Sequence, residues 1–306
     1  MLACQSEKPK QIQIKELREA LQKPAQEFSF TAEQGTEIMG KEGTYIKIPP
    51  DVFEYENGTP AKGQVSIFLT EYYQCQDMLL NGLSTTSETK LLETAGMIYL
   101  VAEINKKPLK LKDGKRCEIG FPIPKMKKEG MVLFNGEFNE DAYFIDWQEQ
   151  ILGDTIADTE TSVSKYAEEA IDSNEVRKSL EYYLFSSSSL NWLNCDKYLD
   201  KSEGGRLVVH ADEKLKPVVR LLYKPFRTMS AGVVQADKSV VFSPLAVGAD
   251  ATLFAFSKVD GKIHLATKDI TITGEMEVNL EFKEVTLEQL KAEAKKLEWE
   301  DAMASK

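Results

Sequence analysis

Four carboxylates stand where a catalytic pair would be sought: Glu71, Asp77, Glu93 and Asp196. Carboxyl-driven hydrolysis of a glycan or peptide needs two such groups about 5–9 Å apart, one protonated and one not. No spacing in the sequence fixes any two of them at that separation. His210 and His264 are the only histidines and lie far apart, so a triad or a histidine-built metal site has little material. Cys4, Cys75, Cys117 and Cys195 show no CxxC spacing, which points to neither zinc nor thioredoxin-type exchange. No cofactor and no metal are expected. With Cys4 set aside, the other three cysteines allow at most one disulfide, and buried reduced thiols are the simpler expectation.

The least generic run is Phe185 to Tyr198, FSSSSLNWLNCDKY. A Ser or Cys nucleophile there would need a base, and Asp196 beside Cys195 disfavours a thiolate. A platform centred on Trp192, flanked by Asn194 and Asp196, would suit a sugar or peptide. The simplest reading is structural, with Trp192 and Tyr198 as anchors and the two polar residues bonding a turn locally. A second candidate contact is the basic run from Lys106 to Lys128, with nine lysines and arginines against Asp113 and Glu118. Lys106, Lys107 and Arg116 fall on its turns. They serve either as solvated guards of a sheet edge or as a contact for anionic polysaccharide or lipid headgroups. The formal net charge of -11 argues against nucleic acid as a partner.

The elements that must position these residues are mostly strands. Ile46 and Ile48 alternate with Tyr45 and Lys47, and Val65, Ile67 and Leu69 with Ser66 and Phe68. Asn57-Gly58, Asp113-Gly114 and Asp260-Gly261 are turn signals between such runs. The reading is all-β with minor α: a tether and short helix (1–25), a first β-sandwich (26–148) and an acidic, partly helical linker (149–184). A second sandwich (185–284) of immunoglobulin- or transthyretin-like type and a C-terminal helix (285–306) follow. Residues 74–93 are read as an excursion across the end of the first sandwich, and Gly136 as the turn of a hairpin. Thr286 and Gln289 form a capping box that starts the last helix, which should dock on the second sandwich.

The order G-T-x-I-x-I-P, G-x-V-x-I, E-x-A-G-M and K-P-L-x-L across Gly43 to Pro122, with W-x-N-C-D at Trp192, resembles a family of Bacteroidota-type extracytoplasmic lipoproteins of undefined function. More distantly, the first domain is similar to the sandwich of ankyrins, zonula occludens proteins and netrin receptors. Met1-Leu2-Ala3-Cys4 resembles the end of a lipobox, which makes Cys4 the expected lipid attachment. The function this implies is a non-catalytic binding or structural module, membrane-tethered outside the cytoplasm, for an envelope protein or polymer. The alternatives are a hydrolase with paired carboxylates and a cytosolic interaction scaffold.

Overall fold

The computed structural model describes residues 13–87, 90–123, 128–139, 144–150, 182–200 and 204–299. Cys4 and residues 151–181, most of the expected linker, lie outside them. Alternation becomes strand wherever one face has a core to meet. In β5 (Gln64–Tyr72) Val65, Ile67 and Leu69 point inward, and in β7 (Lys90–Ile104) Ile98, Leu100 and Ala102 do the same. Both belong to a nine-stranded sheet whose main path is β1 (Gln26–Thr31), β5, β7, β13 (Asn191–Tyr198), β10 (Val132–Asn139) and β11 (Phe144–Glu149). The short β4 (Phe53–Glu54), β6 (Thr86–Ser87) and β8 (Lys107–Leu111) pair at its side. Against it lies a four-stranded sheet in the order β12 (Tyr182–Ser187), β9 (Cys117–Pro122), β3 (Tyr45–Ile48), β2 (Thr36–Met39). Ile46, Ile119, Phe121 and Leu193 close the core between them.

The second unit is also two sheets. One runs β17 (Val233–Val234), β18 (Val240–Phe242), β14 (Arg206–His210), β21 (Glu275–Asn279), with β14 and β21 parallel. The other runs β16 (Thr228–Ala231), β15 (Val218–Tyr223), β19 (Asp250–Val259), β20 (Lys262–Thr271), β22 (Lys283–Val285). Leu207, Val209, Leu221, Phe242 and Leu253 fill the space between them. Asp260 and Gly261 both carry positive φ, as the two-residue turn joining β19 to β20 requires. Asn105 and Lys106 do the same between β7 and β8 without a glycine.

Three expectations are corrected. Residues 182–184 do not end a helical linker and 185–198 do not open the second sandwich; they hold β12, which pairs with β9, and β13, which sits between β7 and β10. Strand partners are chosen by register and buried face, not by nearness in sequence, so the first sandwich closes only at Tyr198. Gly136 is no turn but the middle of β10, paired with Trp192 on one side and Trp147 on the other. Residues 74–93 do not cap the sandwich end. They hold α2 (Cys75–Leu80), β6 and the start of β7, and their apolar side chains enter a core shared by both units.

That shared core follows from a bulge in β7. Gly96 pairs with Cys195 and Thr94 with Asp196, leaving Ala95 as the extra residue. Gly96 has φ +147°, and a Cβ there would lie 2.1 Å from the Tyr73 ring, so only glycine fits. On the N-terminal side of the bulge β7 stays paired with β13 as far as Leu92, while Leu91 is buried in the core of the second sandwich. The outer face of the large sheet, with Tyr72, Met97, Phe134 and Trp147, meets Leu222, Phe254, Phe256 and Leu265 of the second unit. Helix α1 (Ile14–Leu21) buries its stripe of Ile14, Leu17 and Leu21 in this cluster, and α3 (Leu287–Lys295) adds Leu290 and Ala294. The capping box at Thr286 and Gln289 is present, but α3 packs on α2 as well as on the second unit. Polar contacts complete the seam. Thr85 N donates to Met229 O (2.6 Å) and Thr94 N to Arg227 O (2.9 Å). Arg220 Nε donates to Leu83 O (3.0 Å), and Arg227 Nε to Thr94 O (2.8 Å).

Leu91→Ala leaves a cavity inside the second unit and should cost about 2–5 kcal/mol. Because the seam is a core rather than a surface contact, both units should unfold in one transition, read by amide exchange in β5 and β19 together. Two separate transitions would contradict a shared core.

Candidate functional site

The four carboxylates sit in different settings. Glu71 is 1% exposed. It accepts from Thr44 N (2.9 Å), Thr44 Oγ1 (2.6 Å), Glu42 N (2.9 Å) and Gln26 Nε2 (2.7 Å). A Cβ at Gly40 would lie 2.4 Å from its Oε1, so that glycine lets the turn wrap the carboxylate. Glu71 thus fastens the 40–44 turn to β5. Asp77, at the start of α2, pairs with Lys23 (2.6 Å), which also bonds Glu42. Burial pulls the Lys23 ammonium down, but the hydrogen bonds it donates to Asp77 and Glu42, with their charges, outweigh it and leave it raised. Burial raises the Glu42 carboxyl against the same lysine. Glu93 is buried and bonded to Lys128 and, at 3.4 Å, to Lys197. Asp196 is fully buried. Three of the four are therefore out of reach of a substrate, and hydrolysis by paired carboxylates needs two.

The Trp192 run divides by strand alternation. Leu193 and Cys195 face the first core, while Trp192, Asn194 and Asp196 face the seam. Asn194 and Asp196 have no exposed surface, so they cannot flank a sugar beside Trp192 as expected. The local bonding expected of them is present: Asn194 Nδ2 donates to Asp196 Oδ2 (2.6 Å), and Thr94 Oγ1 to Asn194 Oδ1 (3.0 Å). Trp192 is half-buried. Its ring lies 4.8 Å from Tyr99, 5.5 Å from Tyr72 and 6.5 Å from Trp147, the last edge to face. Gly136 stands between the two indoles in β10, in register with both. Trp147 Nε1 donates to Ser84 O (2.6 Å), which satisfies the buried indole.

Next to this cluster is a groove of about 360 Å³, within the size range of small-ligand sites. Phe68, Tyr99 and Val101 from β5 and β7 form its floor, and Glu19, Gln22 and Lys23 from the end of α1 its rim. Trp192 backs Tyr99 from the adjoining strand. Phe68 and Tyr99 were legible in one respect: each is a large aromatic on the face of a strand that alternation assigns away from the sandwich core. Lys23 carried no signal, since its place depends on Pro24 ending α1 at the sheet face.

The basic run is strung out. Lys106 sits in the β7–β8 turn and Lys107 begins β8, whereas Arg116 lies past its far end. Lys110 pairs with Glu54 (3.3 Å) and Lys112 Nζ donates to Asp51 O (2.7 Å). Lys106, Lys107 and Arg116 thus share no single patch. His210 lies 3.6 Å from Glu277 on one sheet of the second unit and His264 on the other. Among the described residues no group of three metal-ligating side chains comes together, and no helix is long and apolar enough to cross a membrane.

Cys75, Cys117 and Cys195 are free and buried. Burial pushes the Cys75 and Cys117 thiols up to about 12, with Arg227 partly opposing at Cys75. Cys195 is raised too, by burial and by Asp196. A scan against protein-family models finds no match for the sequence, and neither does a search of curated proteins.

In the native protein at pH 8 these three thiols should be alkylated on the order of 100-fold or more slowly than in denaturant. Residue-by-residue mass spectrometry after an iodoacetamide pulse measures it. Rapid labelling of any one would place that thiol at a surface.

Proposed function

We propose that this chain is a non-catalytic binding or structural module, tethered outside the cytoplasm through a lipid on Cys4, that meets an envelope partner or polymer at the Phe68–Tyr99 groove. The observation that carries the binding half is the groove's composition. Aromatic and apolar side chains line it from β5 and β7, and Glu19 and Gln22 supply a carboxylate and an amide at the rim, while the Lys23 ammonium there is already bonded to Asp77 and Glu42. A sugar ring offers an apolar face to such a floor and hydroxyls to such a rim. The floor is stiff because Tyr99 is held by Trp192, itself fixed between Tyr72 and Trp147.

The tethering half rests on the Leu2-Ala3-Cys4 pattern. A lipid there would leave the residues before α1 as a leash. Lys106 and Lys107 at one end of β8 and Arg116 past the other, where Asp113-Gly114 links β8 to a strand of the opposite sheet instead of closing a hairpin, fit solvated turn positions better than a single polyanion site.

Two measurements test the two halves. Intact mass of the protein from its native host should show Cys4 carrying a diacylglyceryl-type lipid, with partition into detergent. An unmodified, water-partitioning chain would instead support a cytosolic scaffold. For the groove, soluble fragments of the host's envelope polysaccharides, titrated calorimetrically, should include one that binds. Tyr99→Ala should weaken it at least about tenfold, as expected for loss of an aromatic contact worth 1–3 kcal/mol. An affinity that Tyr99→Ala leaves unchanged would remove the groove from the reading.

A further inference from the structure

The polar cluster where β13, β7 and the β15–β16 turn meet is used by neither the groove nor the tether. Asp196 is fully buried, and its Oδ1 meets no hydrogen-bond donor among the described residues. Its other oxygen lies 2.6 Å from the Asn194 amide. That separation serves either an amide N–H on a carboxylate or a carboxyl O–H on an amide oxygen. The oxygen and nitrogen of such an amide are told apart only by their bonding network. With the Asn194 amide turned over, its oxygen accepts a proton carried by Asp196, and its nitrogen faces the Thr94 hydroxyl at 3.0 Å. That arrangement exists only for the neutral acid.

The charged and titratable groups around Asp196 come from both units. Arg227, from the second unit, attracts a carboxylate, while its Nε and Nη2 donate to Thr94 O and Tyr73 O. Behind the guanidinium stand the Cys75 thiol of α2 and the Trp299 ring, 4.7 Å away. Glu93 on β7 repels a charged Asp196 and is itself tied to Lys128 and Lys197. Cys195 precedes it on β13, and β10 brings Val132 opposite it. Burial outweighs the hydrogen bonds of Thr94 and Asn194 and the attraction of Arg227, and it holds the Asp196 carboxyl up to about 8.

We propose that Asp196 is a proton-controlled latch on the contact between the two sandwiches: it docks them as the neutral acid, and losing its proton loosens the seam between Thr94 and Arg227. In the unfolded chain an aspartate releases its proton near 3.9. The stabilisation from the held proton is therefore full below about pH 4, declines as pH rises, and is gone above about 8.

The test compares wild type with Asp196→Asn by denaturant unfolding from pH 5 to 9. The ratio of their unfolding constants should change by up to about tenfold per pH unit between 5 and 8, wild type losing ground, and then level off. Hydrogen exchange of the wild type supplies an independent reading should the variant not fold. Protection at the Thr94 and Met229 amides should drop above pH 8 while that of Leu253, inside β19, holds. A pH-independent ratio, or seam and β19 amides losing protection in step, would overturn the latch.

Discussion

The outer face of the large sheet is the constraint on which the rest depends. It carries Tyr72, Met97, Tyr99, Phe134, Trp147 and Trp192, a surface too apolar to leave in water. One part is covered by the five-stranded sheet of the second unit and another by α1, α2 and α3. The strip left between α1 and the sheet is the groove. The bulge at Ala95 makes the cover possible, since it turns β7 so that one strand contributes to both sandwiches. Covering also fixes the polar residues. Arg220 and Arg227 are buried at the seam with backbone carbonyls as partners, because a sheet edge and a loop meeting there bring acceptors that water would otherwise satisfy.

Much of the fold was legible where the signal is local. The Asp260-Gly261 turn, the capping box, the apolar stripe of α1 and most strands of the second unit follow from spacing over a few residues. Pairing is not local, and there the reading failed. β13 lies about a hundred positions from β7 in sequence, and its alternation would serve equally well in either sandwich. The boundary drawn before Phe185 falls inside β12, and Ser187 Oγ donates to Ser189 O and accepts from Ser189 N in a tight turn between two strands of one sandwich.

The site was less legible, for a related reason. Alternation assigns polar residues to solvent, so Asn194 and Asp196 read either as flanks of a Trp192 platform or as local hydrogen bonds of a turn, whereas they lie buried within a strand. In a strand covered on both faces the polar face is instead a second interior, and what looks like a binding motif becomes a buried hydrogen-bonded chain. The same logic hid Glu71, whose partners come from the 40–44 turn and from β1 rather than from its own strand. Conversely, Phe68 and Tyr99 stood where alternation expects polarity, and there the mismatch marks the groove.

Helix α1 begins against the second unit and ends against the first. Gln13 N donates to Lys258 O (2.8 Å), Gly261 N donates to the Gln13 side chain (2.7 Å), and Lys258 pairs with Glu16 (2.9 Å). In mechanical terms the β19–β20 hairpin is where the start of α1 is fastened. Tension applied upstream of Gln13 is taken first by the β19–β20 turn. It reaches β1 and the groove only after α1 has been peeled from the seam, so the groove is shielded from load by the unit that does not carry it.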